Sequence, residues 1–344
     1  MRQVYIALLG RAINQPDTAQ DPTAQDATAQ DATAQDATAQ DATAQDADAQ
    51  DADAQDADAL AALVIDRLLH GAGPHADWKH RAGGAFVGEP PFVLGWDVSG
   101  VVEAVGFGGT LFKPGDEVFG MLPYPHGRGS HAEYVTAPTR SFVPKPPSVD
   151  HIQAGALPLA ALTAWQALVD TADVRPGQRV LIHAAAGGVG HLAVQIAKAR
   201  GAYVIGTASA GKHAFLRELG ADEVIDYRSV DFAEAVSDVD VVLDPLAGET
   251  RTRSLDVLRK GGTLVSLLGG GTPEEAEKAA ELGVRLEVLL VEADHAGMRA
   301  IADLAGSGRL RAHIEATFPL ARAAEAHTLG ETGRTTGKIV LTVR

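Results

Sequence analysis

Residues 185–190 read Ala185-Ala186-Gly187-Gly188-Val189-Gly190, a turn of the form Ala-x-Gly-x-x-Gly. The strand-like run Arg179-Val180-Leu181-Ile182 precedes it, and a helical stretch from Leu192 to Arg200 follows it. In this context small residues let the backbone approach a pyrophosphate, and the N–H groups at the helix start stabilise the charge. The stretch therefore predicts a Rossmann-type dinucleotide site, and a glycine-rich turn without a ligand is the plainer alternative.

The rest of the chain is organised around this unit. Strand-like runs recur after it with helical stretches between them, which predicts a doubly wound parallel sheet; they lie at 203–206, 240–243, 263–267 and 285–290. Residues 85–145 instead combine short strand-like runs with dense turns, as in a compact β domain. We expect the final run, 338–343, to return to that first domain.

Residues 17–58 form an acidic repeat with a period of five. The repeat has no large apolar residue, so we expect a disordered acidic insert, with a transient helix or a docking tail as alternatives. It holds twelve aspartates of a chain whose net charge is −16, and the remainder carries 33 acidic and 29 basic residues. The folded part is thus nearly balanced, which argues against a nucleic-acid partner.

Other partners and locations are constrained by composition. The chain has no cysteine, which removes disulfides and thiolate metal sites and fits a cytoplasmic location. No apolar run approaches the roughly 20 residues of a membrane span, so we expect no membrane insertion.

The end of the second strand of the parallel sheet predicts the cofactor. An NAD enzyme usually places an acid there for the ribose 2′-hydroxyl, but this chain reads Gly206-Thr207-Ala208-Ser209-Ala210-Gly211-Lys212. Ser209 and Lys212 can donate a hydrogen bond and a charge, which suits a 2′-phosphate. We therefore expect NADPH, although Lys212 could also be a solvated lysine at a helix start.

Four further stretches complete a family pattern: Leu94-Gly95-Trp96-Asp97-Val98-Ser99-Gly100-Val101-Val102, Pro114-Gly115-Asp116-Glu117-Val118-Phe119-Gly120, the run 156–168, and Gly337-Lys338-Ile339-Val340-Leu341. With the 185–190 turn, they resemble the medium-chain dehydrogenase/reductase superfamily, in its zinc-independent, quinone oxidoreductase-like, NADP-dependent branch. The resemblance implies a Rossmann domain inserted into a GroES-like β domain. The implied division is 1–16 for a first strand, 17–58 for the insert, 59–145 for the GroES-like domain, 146–307 for the Rossmann domain and 308–344 for the return.

The resemblance also implies which residues contact NADPH. Tyr227 would lie beside the 2′-phosphate, unless it is an ordinary half-buried loop tyrosine, and Thr163 would lie near the nicotinamide ribose. Leu267, Leu268 and Gly269 would line the nicotinamide through backbone groups. The full implied set is Thr163, Ala186, Gly187, Gly188, Val189, Gly190, Ser209, Lys212, Tyr227, Leu267, Leu268, Gly269 and Lys338.

Zinc members of the superfamily are similar to one another in a Gly-His-Glu turn and cysteine ligands. The corresponding turn here is Gly95-Trp96-Asp97, and tryptophan cannot bind a metal. The histidine pairs 75/80 and 126/131 do not form a His-Glu-x-x-His helix, so we expect no metal site.

Two departures from the family concern the substrate side. The segment Gly73-Pro74-His75-Ala76-Asp77-Trp78-Lys79 is shorter than the family's and lacks its asparagine. Upstream, the Gln-Asp repeat stands where the family has a second strand and loop, and residues 60–69 also look more helical than the strand expected there. Candidate donors to a substrate oxygen are Lys79, Tyr124 and His126, and Asp77 would orient its loop.

These features predict an NADPH-dependent homodimer that transfers a hydride to a small quinone, enone or similar activated carbonyl or alkene. Two alternatives remain open at this point. One is an NADPH-binding sensor or structural protein without turnover, and the other is a stand-alone enoyl-reductase-like module.

Overall fold

The structure, a computed structural model, describes the backbone of residues 62–72 and all atoms of residues 93–125 and 129–343. Two sheets organise these residues. The strands that precede the nucleotide-binding turn are β1 (Ala62–Ala72), β2 (Asp97–Val105), β3 (Glu117–Met121), β4 (Val135–Pro138) and β5 (Phe142–Pro144). They are followed by β6 (Arg179–Ile182), β7 (Tyr203–Ala208), β8 (Glu223–Asp226), β9 (Val239–Asp244), β10 (Leu258–Ser266) and β11 (Arg285–Val288), and then by β12 (Ile314–Pro319) and β13 (Lys338–Thr342).

Helices connect the strands. They are α1 (His151–Ala156), α2 (Pro158–Trp165), α3 (Gly190–Ala199), α4 (His213–Glu218), α5 (Phe232–Ala235), α6 (Gly248–Ser254), α7 (Pro273–Leu282), α8 (His295–Gly306) and α9 (Ala323–Glu331). A π-helical segment, Gln166–Thr171, continues α2, and short 3₁₀ turns occupy Thr139–Ser141, Ala210–Lys212 and Leu320–Arg322. Among the described residues, none of these helices is long and apolar enough to cross a membrane.

The second sheet is parallel throughout, with strand order β11-β10-β9-β6-β7-β8. The side chains of Val180, Leu181 and Ile182 in β6 are fully buried. Continuous burial of this kind is expected where helices cover both faces of a sheet. The predicted doubly wound Rossmann sheet is confirmed.

The first sheet has the order β12-β13-β1-β2-β3-β5, and β4 also pairs with β1. Strand β13 pairs antiparallel with β1, with His70 opposite Leu341. The final strand therefore returns to the first sheet, as the sequence predicted, and the parallel sheet is inserted between strands of a GroES-like β domain.

The expected helical character of residues 60–69 is wrong, because β1 occupies Ala62–Ala72. This strand pairs antiparallel with β2, β4 and β13. Its backbone hydrogen bonds come from segments distant in sequence, and such pairing overrides the local preference of a leucine- and alanine-rich run. The acidic repeat and the segment 73–79 lie outside the described residues.

A buried ion pair joins β2 to β13. Lys338 Nζ lies 3.3 Å from Asp97 Oδ2, and both side chains are fully buried. The other carboxylate oxygen of Asp97 accepts the backbone N–H of Leu159 in α2. One carboxylate thus joins β2, β13 and the first helices of the second domain.

Removing either partner of this pair should destabilise the protein strongly, because the other charge stays buried without compensation. Asp97→Asn, which can still accept from Leu159, and Lys338→Met should each lower the free energy of unfolding by about 3–5 kcal/mol. The double variant should recover part of that loss. Urea denaturation measures all three, and single losses below about 1 kcal/mol would contradict this role for the pair.

Candidate functional site

A crevice opens where the strand order of the parallel sheet reverses. From β6 the chain continues to β7 and β8 on one side, and it then crosses to β9, β10 and β11 on the other. The connections above the carboxyl ends of β6 and β9 therefore diverge, and dinucleotides bind in crevices of this kind. The predicted 185–190 turn lies directly at this point.

The turn requires its glycine at position 190. A Cβ added to Gly190 would lie 2.4 Å from Ala184 O and 2.7 Å from Ala185 Cα, so only glycine lets α3 begin this close to β6. The backbone N–H groups of Gly188 and Val189 bond to no described residue. These donors at the start of a ten-residue helix suit a pyrophosphate.

A buried histidine orients one of these donors. The N–H of His313 donates to His191 Nε2 at 3.1 Å, so the proton of the neutral ring is on Nδ1, which donates to Gly187 O at 2.8 Å. Burial lowers the pKa of His191 to about 4, which keeps the ring neutral near pH 7. Because C=O and N–H point in opposite directions in a trans peptide, the Gly188 N–H points away from His191.

A second buried histidine supports the strand ends beside the turn. His183 Nδ1 lies 3.2 Å from Thr207 Oγ1, and its Nε2 lies 2.9 Å from Ser254 Oγ. Burial lowers the pKa of His183 to about 4 as well. Sequence reasoning missed both histidines, because their partners lie in distant segments and no motif marks them.

The residues predicted to bind the 2′-phosphate lie near the end of β7. Lys212 Nζ donates to Arg334 O and Thr335 O, each at 3.0 Å. Burial lowers the pKa of Lys212, and the nearby Glu315 and Tyr227 oppose that shift. Tyr227 is 56% exposed, which fits either reading of it, and its contact with the 2′-phosphate stays a prediction.

Two arginines that the sequence analysis did not single out join this end of the crevice. The Arg228 guanidinium lies 5.8 Å from the centre of the Tyr227 ring. The backbone carbonyl of Arg334 accepts a hydrogen bond from the Lys212 ammonium. Neither arginine belongs to the segment 206–212, from which Ser209 and Lys212 were predicted.

The residues predicted for the nicotinamide side lie at the ends of α2, β9 and β10. Thr163 Oγ1 donates to Leu159 O at 2.7 Å, and Leu267 N donates to Asp244 O at 2.9 Å. Asp244 also accepts the N–H groups of Leu246 and Ala247. It thereby holds Ala247 at φ 61° and ψ −166°, a conformation close to glycine-only space. Burial is the main cause that raises the pKa of Asp244.

The structure describes some of the remaining predicted site residues and not others. Asp77, Lys79 and His126 lie outside the described residues. Tyr124 packs edge-on against Trp96, with ring centres 5.1 Å apart. Lys338 lies beneath the turn, where its Cδ would be 3.7 Å from a Cβ added to Gly188, and its ammonium pairs with Asp97. Its contact with the cofactor stays a prediction.

Known proteins share this architecture. Residues 69–147 match the family model Alcohol dehydrogenase GroES-like domain, and residues 219–341 match the model Zinc-binding dehydrogenase. The chain is 36% identical over 283 residues to the mitochondrial NAD(P)H oxidoreductase RTN4IP1 of Homo sapiens, covering 74% of this chain and 71% of that protein. It is 38% identical over 288 residues to the 2-haloacrylate reductase of Burkholderia sp, covering 77% and 86%. The quinone oxidoreductase structure from Coxiella burnetii superposes with a TM-score of 0.77 at 37% identity, covering 82% of this chain and 90% of that one.

A dinucleotide crevice in a Rossmann domain inserted into a GroES-like domain defines a two-domain nicotinamide-dependent oxidoreductase. The chain belongs to the medium-chain dehydrogenase/reductase superfamily, as a quinone oxidoreductase-like member. The likeness to NAD(P)H oxidoreductases also supports NADPH as its cofactor.

Lys212→Ala should weaken NADPH binding selectively. A hydrogen bond to a charged group contributes roughly 1.5–3 kcal/mol, so the Kd for NADPH should rise about ten- to hundredfold while that for NADH stays nearly unchanged. Titration of cofactor fluorescence measures both. Lys260→Ala, in the exposed first part of β10, is the matched control. An equal loss for both cofactors would mean that Lys212 only holds the turn at 334–335.

Proposed function

We propose that this protein is a zinc-independent reductase that transfers a hydride from NADPH to an electron-poor double bond or carbonyl, such as a quinone or an enone. The observation that carries the proposal is the pattern of donors along the crevice. The N–H groups of Gly188 and Val189, which bond to no residue in the described part of the chain, lie at its centre, and Lys212 lies in the segment where an NAD enzyme usually has an acid.

The substrate class is supported by the relatives. One is a 2-haloacrylate reductase, whose named substrate carries a double bond conjugated to a carboxylate, and another is a quinone oxidoreductase. Both kinds of acceptor can spread incoming negative charge onto oxygen. A site that binds and orients the cofactor therefore has little further chemistry to perform.

The protein's own part in the reaction is to bind, to orient and to donate a proton. The turn at 187–190 would hold the pyrophosphate, and Lys212 with Ser209 would hold the 2′-phosphate. When bound, NADPH supplies the hydride. The substrate oxygen then carries negative charge, and Lys79, Tyr124 and His126 remain the candidate donors to it.

The ligands that the chain offers support zinc independence. No cysteine occurs in the sequence. Trp96 replaces the family's zinc-binding histidine and is 4% exposed, and the neighbouring Asp97 is engaged by Lys338. A thiolate zinc site therefore cannot form, and polarisation of the substrate would rest with hydrogen-bond donors.

The activity is tested by following the absorbance of NADPH with a panel of quinones, enones and 2-haloacrylates. We expect consumption that chelators of divalent metals do not change. NADPH-induced thermal stabilisation without consumption of any acceptor would instead favour a protein that binds NADPH without turnover. Loss of activity together with stoichiometric zinc would contradict the zinc-independent mechanism.

We also propose that the protein forms a homodimer through the outer edge of β11. In the described part of the chain this edge pairs with no other strand. Val288 and Leu290 beside it are each 49% exposed, and unpaired strand edges with apolar neighbours favour association.

Substitution of this edge should therefore produce a monomer. Val288→Lys combined with Leu290→Lys places two like charges on each copy, and light scattering should show half the mass of the wild type. Phe107→Lys, at an 89% exposed apolar residue in the first domain, should leave the mass unchanged. A wild type that is already monomeric, or a double variant that stays dimeric, would contradict this interface.

A further inference from the structure

The loop that follows β10 is held by a buried arginine with no part in the nucleotide motif. Arg251 in α6 is 5% exposed, and Nη1 of its guanidinium lies 3.3 Å from each of Leu268 O and Gly269 O. The same nitrogen lies 3.3 Å from Ser266 Oγ at the end of β10. One cationic group thus binds two successive carbonyls of the loop.

The guanidinium is itself fixed by a buried carboxylate. Arg251 Nε donates to both oxygens of Glu275, at 3.1 and 3.0 Å, and Nη2 lies 2.8 Å from Oε2. Glu275 is 3% exposed and also accepts from Thr252 Oγ1 at 2.7 Å and from the N–H of Thr272 at 2.9 Å. With its rotamer fixed from several sides, Arg251 cannot follow the loop if the loop moves.

Binding these two carbonyls determines where the next two N–H groups point. The peptides 268–269 and 269–270 are trans, so the N–H groups of Gly269 and Gly270 point away from Arg251. Neither N–H bonds to any other described residue. Gly269 adopts φ +66°, which lets the two peptides turn in succession.

These two N–H groups are directed across the sheet. In the parallel sheet, β9, β10 and β11 follow one another toward one edge, and β6, β7 and β8 toward the other. Because the connections are right-handed, α6 and α7 lie on one face of the sheet, and α3 and α4 lie on the opposite face. Arg251 and Glu275 lie on the α6 and α7 side. The donors of Gly269 and Gly270 therefore point toward the face where α3 begins, at the carboxyl end of β10 and on the far side of the crevice from Lys212.

We propose that Arg251, fixed by Glu275, is a positioning residue for the nicotinamide half of the cofactor. It holds the N–H groups of Gly269 and Gly270 toward the crevice, where they bind the carboxamide oxygen and set the angle of the ring. The proposal rests on the NADPH-dependent function above. It adds that the orientation of the bound nicotinamide depends on the ion pair between Arg251 and Glu275, which contacts neither cofactor nor substrate.

The test compares NADPH with 2′-phospho-ADP-ribose, which lacks the nicotinamide. Arg251→Met keeps the length of the side chain and removes all its donors. Its Kd for NADPH should rise about five- to tenfold, as expected for one or two weakened neutral hydrogen bonds. Its Kd for 2′-phospho-ADP-ribose should change less than twofold. The kcat should fall more than tenfold, and deuterium on one face of the dihydronicotinamide should transfer with reduced stereospecificity.

The matched control is Arg253→Met. Arg253 lies on the same helix and also forms an ion pair, with Asp231, but it is partly exposed and makes no contact with the loop. All four quantities should stay at their wild-type values. Arg251→Lys should give intermediate values, because one ammonium cannot serve two carbonyls and a carboxylate together. This milder variant keeps the test decisive if Arg251→Met does not fold.

The proposal is overturned if both Arg251 variants keep the wild-type ratio of the two dissociation constants. It is also overturned if they weaken both ligands equally, which would mean general damage to the domain. The ratio can be measured without any substrate. A wild type that turns over no acceptor would refute the reductase function. A raised ratio of the Kd for NADPH to the Kd for 2′-phospho-ADP-ribose in the variants would still support the positioning role.

Discussion

The architecture depends on one buried contact, the ion pair between Asp97 and Lys338. Asp97 begins β2, Lys338 begins β13, and the carboxylate also accepts the N–H of Leu159 in α2. Neither charge reaches water, so each is tolerated only in the presence of the other. The pair lies beneath the nucleotide turn, where the Lys338 chain adjoins Gly188. The floor of the crevice is therefore built from both domains.

Two parts of the crevice prepare backbone donors in the same way. At the pyrophosphate turn in the centre, the neutral ring of His191 donates to the carbonyl of Gly187, and the N–H of Gly188 points away from it. At the far end, the Arg251 guanidinium holds the carbonyls of Leu268 and Gly269. In each case a buried side chain donates to a backbone carbonyl oxygen, so the N–H of the same peptide points away from that side chain. Preorganised donors of this kind need no reordering when a ligand arrives.

The sequence predicted those features whose cause is local. The turn at 185–190 was readable because small residues, a strand and a helix follow one another in a fixed order. The returning strand at β13 and the alternation of the parallel sheet were also confirmed. The helical expectation for residues 60–69 was wrong over 62–69, because what makes β1 a strand is pairing with three segments elsewhere in the chain. His191 and Arg251 were missed for the same reason, since their partners lie far away in sequence or in another element. Asp97 was noted for what it replaces in the family, and its actual partner lies 241 residues away.

The return of β13 to β1 also has a consequence for how the protein is made. At roughly 5–20 residues per second, Lys338 is synthesised on the order of 10–50 s after Asp97, and during that interval the carboxylate has no cation and β1 lacks one neighbour. The whole parallel sheet emerges from the ribosome within the same interval. The nucleotide-binding domain can therefore fold while the first domain is still incomplete. The open edge of β1 is exposed to wrong pairing until β13 has been translated and pairs with it.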